Sequence, residues 1–126
     1  MRSTPAFAAA VLWGLTAASF AGTSPAEAHA MLRKAVPGVG SIVATAPPEV
    51  TLDFSEALEP HFTTIVVQDA QGKAVDAGDK HLGSDNPKRV IVGLKPLPAG
   101  SYKVIWHATS VDTHKSEGSF EFTVRP

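Results

Sequence analysis

Cysteine is absent from all 126 residues of the chain. No disulfide can staple the fold, and no thiolate is available for catalysis or metal binding. Methionine is nearly absent too, with only Met1 and Met31. A soft sulfur cluster therefore cannot be assembled from this sequence. An excess of one charge is also missing: 11 Lys and Arg stand against 12 Asp and Glu, for a formal net charge of −1. A nucleic-acid surface or a polybasic membrane patch needs clustered cations, so the balance argues against both. There is no internal repeat, low-complexity tract or linker, and no stretch of residues 29–126 shows an apolar stripe of helical period.

One long uncharged run does exist, at the start. Arg2 precedes residues 6–22 (AFAAAVLWGLTAASFAG), and a polar, small-residue tail leads to Ala26-Glu27-Ala28. This is the three-part layout of a secretory signal peptide. As a membrane anchor the run falls short of the ~20 residues a spanning helix needs, and a small-x-small cleavage site stands behind it. The sequence predicts export, a signal peptide over 1–28 and a mature domain over 29–126 that begins with His29. Ala28-His29-Ala30 is a second small-x-small site, and cutting after Ala30 would remove the histidine. The first site is preferred because it follows Pro25 and leaves a polar residue at the new start. Taking 28 residues from 126 leaves 98, the size of one small domain.

The mature chain has an apolar period of two. Val50, Leu52 and Phe54 alternate with Thr51, Asp53 and Ser55. Tyr102, Val104 and Trp106 alternate with Lys103, Ile105 and His107, and Phe120, Phe122 and Val124 with Ser119, Glu121 and Thr123. Each set predicts a strand with one face on a core. Residues 63–68 (TTIVVQ) and 89–94 (RVIVGL) are β-branched runs that predict two more. Pro37-Gly38, Pro47-Pro48, Gln71-Gly72 and the stretch from Pro96 to Gly100 supply turns between them. The expected fold class is all-β: an immunoglobulin-like or cupredoxin-like Greek-key β-sandwich or barrel of about seven strands. Gly100-Ser101-Tyr102 at the start of a strand fits a tyrosine corner, and a plain core tyrosine equally well.

Candidate chemistry is confined to histidine and carboxylate. Ser110 and His114 lie in a run with no glycine elbow and no oxyanion loop, so they do not read as a nucleophile and base. Glu56 and Glu59 after a strand fit a solvated loop. Asp112-Thr113-His114 is a D-x-H between two predicted strands. On extended or gently turning backbone, residues i and i+2 project to one side, so Asp112 and His114 converge within reach of one ion. Such triplets are more often ordinary loop chemistry. A terminal His29 changes the balance, because it offers an imidazole and an α-amine on one residue. With Asp112 and His114 it makes three nitrogens and one oxygen. In a tetragonal plane that set suits Cu(II), with Zn(II) expected to bind less tightly.

These residues resemble a known family. The segments HAMLRKAVP (29–37), LDFSE (52–56), PLPAGSYKVIW (96–106) and SVDTHKSEG (110–118) are similar, in order through residues 29–126, to the CopC family of periplasmic copper-binding proteins. The resemblance implies an immunoglobulin-like or cupredoxin-like sandwich without the blue-copper ligands. It implies that His29, Asp112 and His114 hold Cu(II), one ion per chain. Glu56 would then sit beside the terminus as a weak axial ligand or a partner of the amine. Some members carry a Cu(I) site in a Met-rich loop. The corresponding residues 67–88 here have His81 but no methionine, so no Cu(I) site is expected. His81, His107 and His61 are read as structural or exposed.

The expected function is copper sequestration, resistance or delivery to a membrane partner, such as an inner-membrane transporter of the CopD type. The expected setting is the periplasm, as a monomer without enzymatic activity. Two other classes stay open on the sequence alone: a copper oxygenase with a histidine brace, and a metal-free immunoglobulin-like interaction module.

Overall fold

The computed structural model describes residue 3 and residues 30–126. The described residues fold into eight strands and one short 3-10 turn. The strands are β1 (Leu32–Val36), β2 (Ile42–Val43), β3 (Glu49–Phe54), β4 (Thr64–Gln68), β5 (His81–Gly83), β6 (Asn86–Gly93), β7 (Gly100–Thr109) and β8 (Lys115–Val124). The turn, Pro60–Phe62, lies between β3 and β4 and is capped by Glu59, whose Oε1 accepts from the His61 N–H at 3.1 Å. Among the described residues no helix is long and apolar enough to cross a membrane.

Two four-stranded sheets form, in the orders β1-β3-β6-β5 and β2-β8-β7-β4. They remain separate, so the architecture is a sandwich and not a closed barrel. Every pairing is antiparallel except the short parallel contact of β2 with β8. The chain returns locally only in the β5–β6 and β7–β8 hairpins, and its other connections cross from sheet to sheet.

The period-two reading is met where it was clearest. Val50, Leu52 and Phe54 of β3 point inward, as do Tyr102, Val104 and Trp106 of β7 and Phe120, Phe122 and Val124 of β8. Their opposite faces carry residues such as Lys103, His107, Glu117 and Glu121, all exposed. Full burial of one such side chain stabilises the fold by about 1.5–3 kcal/mol, and these strands hold most of the core. Phe54 and Trp106 meet edge to face with ring centroids 5.2 Å apart, joining the two sheets. Gly118, opposite Trp106 in the β7–β8 ladder, leaves room for the indole. Of the two readings of Tyr102, the corner holds: its hydroxyl donates to the Pro98 carbonyl at 2.5 Å.

Carboxylates organise the long link between β4 and β5. Asp69 Oδ1 accepts from the backbone of Gln71 and Lys73, Asp76 Oδ1 from Val67 and Asp79 Oδ1 from Gly93. The same link bonds through its own backbone to both sheets, with Val75 to Val67 and Ala77 to Gly93. It therefore closes the gap between β4 and β6. Lys80 ties it to the 3-10 turn by donating to the carbonyls of Pro60 and Thr63 at 2.6 and 2.5 Å.

Candidate metal centre

At one end of the sandwich, the segment leaving β3 runs alongside the link from β7 to β8. Val111 N–H donates to the Ala57 carbonyl at 3.0 Å, Glu59 N–H to Thr109 at 2.8 Å, and Leu58 bridges Ser110. These bonds bring Glu56, just past β3, to residues 110–114.

The 110–114 link is a tight loop built on Ser110. Its N–H donates to the His114 carbonyl at 2.8 Å, and its carbonyl accepts from Thr113 at 2.9 Å. Its hydroxyl accepts from the His114 N–H at 3.1 Å. Ser110 is 1% exposed; it holds the loop's backbone and does not present a hydroxyl to a substrate. Thr113 has φ +68°, in the left-handed region that a β-branched residue rarely enters. The reversal at Thr113 is what turns Asp112 and His114 toward each other. The expectation of an extended or gently turning D-x-H is corrected on this point: convergence is produced by a sharp left-handed residue.

Glu56, Asp112 and His114 each offer a ligand atom, and these atoms all lie within 4.8 Å of one another. His114 Nδ1 is 3.4 Å from Glu56 Oε2. First-row ions bind such donors at about 2.0–2.2 Å, so opposed ligands stand about 4–4.4 Å apart. The cluster needs only a slight closure to hold one ion. Glu56 and His114 are half-buried, whereas Asp112 is exposed. Two carboxylate oxygens and an imidazole nitrogen make a donor set with no sulfur.

Of the four residues singled out from the sequence, the fold brings together Glu56, Asp112 and His114. His29 lies outside the described residues. Its neighbour Ala30 is fully buried, and the Ala30 carbonyl accepts from the Ser116 hydroxyl. Next to it, Met31 N–H donates to Ser55 Oγ at 2.9 Å, and Ser55 N–H returns a bond to the Met31 carbonyl at 2.8 Å. The sequence reading missed the hydrogen-bonding roles of Ser55, Ser110 and Ser116, having named Ser110 only to set it aside as a nucleophile. Their positions beside Glu56 and within two residues of Asp112 or His114 were the available signal.

The remaining histidines stand apart from the cluster. His61 is in the 3-10 turn. His81 Nδ1 lies 3.0 Å from the Asp79 carbonyl oxygen, on an exposed edge. His107 Nε2 faces Glu117 Oε2 at 3.1 Å on the outer face of the second sheet.

The fold and cluster define a class: a two-sheet β-sandwich that gathers nitrogen and oxygen donors at one end. More specifically, the chain belongs to the CopC family, whose CopC domain matches residues 32–125. It is 37% identical over 107 residues to copper resistance protein C of Escherichia coli, covering 79% of this chain and 84% of that one. It is 35% identical over 98 residues to copper transport protein CutJ of Bacillus subtilis (strain 168), covering 77% of this chain but 18% of CutJ. The crystal structure of PcoC, described as a methionine-rich copper resistance protein from Escherichia coli, superposes with a TM-score of 0.69 at 36% identity. That match covers 78% of this chain and 100% of PcoC.

Proposed function

We propose that this chain is an exported copper-binding protein that holds one Cu(II) at the Glu56–Asp112–His114 end of the sandwich. His29, made terminal by removal of residues 1–28, supplies its imidazole and α-amine. Asp112 and His114 complete the plane, and Glu56 serves as a weak axial ligand or as partner of the amine. The single observation that carries this reading is the convergence of Glu56, Asp112 and His114 within 4.8 Å. Copper is the ion because related chains are named for copper resistance and copper transport. The divalent state follows from the donors, since nitrogen and oxygen in a tetragonal set suit Cu(II) and sulfur is lacking.

The position of Ala30 supports cleavage after Ala28. A cut after Ala30 would discard a fully buried core residue together with the acceptor of the Ser116 hydroxyl. The mature domain is thus 29–126, in the periplasm and monomeric by default.

A Cu(I) site is not part of the proposal. PcoC is described as methionine-rich, whereas this chain has two methionines and none in residues 67–88. Asp69, Asp76 and Asp79 of that segment instead accept backbone bonds. One Cu(II) site suits sequestration or handover, and CutJ, in which the matching segment is a small part of a larger copper transport protein, supports a membrane partner of the CopD type. The protein acts as a carrier and not as an enzyme, because its own side chains and terminus fill the plane in which an oxygen-activating ion would need an open position.

The deciding experiment is intact mass of the exported protein before and after Cu(II) addition. The expected result is a chain beginning at His29 that gains the mass of one copper. A chain beginning at Met31, or one beginning at His29 that retains no copper, overturns the proposal.

A further inference from the structure

The contacts that hold Ala30 and Met31 come from residues within two positions of the candidate ligands. Ser116 is two residues past His114, and its hydroxyl donates to the Ala30 carbonyl. Ser55 directly precedes Glu56, and its hydroxyl accepts from Met31 N–H at 2.9 Å. A backbone bond from Ser55 N–H to the Met31 carbonyl, at 2.8 Å, completes the grip. Ala30 itself is 0% exposed and belongs to the core cluster. Strand β1 begins two residues later, at Leu32. The register of β1 against β3 shifts between Leu32 and Lys34, so the ladder alone fixes this end of the strand poorly.

Resting on the Cu(II) reading above, we infer that Ser116 and Ser55 form a clamp that positions residue 29 for the metal. Consecutive Cα atoms are about 3.8 Å apart across a trans peptide. Fixing the peptide between Ala30 and Met31 therefore limits how far from the clamp a preceding ligand can reach. The clamp hydroxyls are carried by the same two segments as Glu56 and His114. Ser116 and Ser55 touch no ion themselves. They act through residue 29, as hydrogen-bond partners around a metal site act by orienting its ligands. A free terminus loses rotational freedom when it binds a metal, and a clamped one has already lost it, so the clamp raises affinity by preorganisation.

The test is a coupling experiment on the exported, processed chain, with Cu(II) affinity read by competition against a chelator and geometry read by Cu(II) EPR. Ser116→Ala and Ser55→Ala should each weaken binding by about 10-fold, within the ~10–100-fold range typical of groups that orient metal ligands. The EPR hyperfine pattern should change as the terminal nitrogens move. Ser116→Thr, which keeps the hydroxyl, should restore both. In a His29→Ala background, Ser116→Ala should cost much less than it does in the parent, because the ligand through which it acts is gone. An equal loss with and without His29 would overturn the clamp and leave Ser116 as a general stabiliser of the fold. Parent-like affinity and EPR in both serine variants would also overturn it, with the Cu(II) reading intact. A parent chain that binds no copper sinks the Cu(II) reading itself, and the clamp with it.

Discussion

His114 Nδ1 and Glu56 Oε2 lie 3.4 Å apart although 58 positions separate the two residues. The approach follows from the sandwich: β3 is in one sheet, β7 and β8 are in the other, and their ends lie together where Val111 bonds Ala57. A carboxylate and an imidazole at this separation can share an ion or a proton, and Asp112 beside them adds a third donor.

Removing a donor should weaken Cu(II) binding in proportion to its place in the site. His114→Ala should lower affinity by several orders, and Glu56→Gln by about 10-fold, the lower end of the range for groups that tune a metal's ligands. His81→Ala should leave it unchanged, since His81 sits on an exposed edge against Asp79. Chelator competition provides the readout. Equal affinity in the His114 and His81 variants would show the ligand set to be wrong.

Thr113 should tolerate glycine and reject proline. Its φ of +68° costs an L-residue about 1–2 kcal/mol, which glycine avoids, at the expense of about 0.5–1 kcal/mol of extra chain entropy. Thr113→Gly should therefore leave the urea midpoint unchanged or slightly higher. Proline is locked near −65° and has no N–H to give to Ser110. Thr113→Pro should lower the midpoint and abolish Cu(II) binding, and a proline variant that binds normally would contradict the described loop.

Gly118→Ala should disturb the core at the indole. A Cβ there would stand 2.6 Å from Trp106 Cζ2 and 3.0 Å from Cε2, and overpacking of this kind costs about 1–3 kcal/mol. Trp106 is the sole tryptophan of residues 29–126, so its emission reports the change directly. A lower melting temperature with a shifted emission maximum is expected. An unchanged pair would mean the indole has somewhere else to go.

Acid should remove one specific contribution to stability. Paired hydrogen bonds from Arg89 at 2.6 and 3.0 Å hold the Asp53 carboxyl below its usual range, against the opposing effect of burial and with help from the charges of Arg89 and Lys34. A lowered folded-state pKa stabilises above the unfolded value of about 3.9 and is lost as pH falls through the folded one. Asp53→Asn should thus lower the melting temperature at pH 7 by a modest amount, since the pair is partly exposed. Near pH 3 the difference from the parent should shrink. A gap that persists or widens in acid would assign the effect to something other than this ion pair.

The core strands were legible because they obey a local rule. β3, β7 and β8 each bury every second residue, and the pleat makes that alternation visible in the chain itself. Of the four edge strands β4 was read from its β-branched run, whereas β1, β2 and β5 were not; the described residues form eight strands where about seven were expected. The patterns of those three are short and half-exposed, with Leu32 and Ala35 the inward residues of β1 and only two residues in β2. Such strands exist because a neighbour supplies their hydrogen bonds, which no local pattern records.

The sequence by itself determined the chemical limits of this protein: no thiolate, no methionine cluster, an uncharged run over residues 6–22 and a D-x-H. Composition and order settle such features without reference to distance. Only the tertiary structure decided which donors meet. It paired Glu56 with His114 across two sheets, folded Asp112 toward them through a left-handed Thr113, and bonded Met31 to Ser55 and Ala30 to Ser116. Those relationships depend on the packing of the sheets and on bonds between distant segments, and a linear pattern cannot hold either.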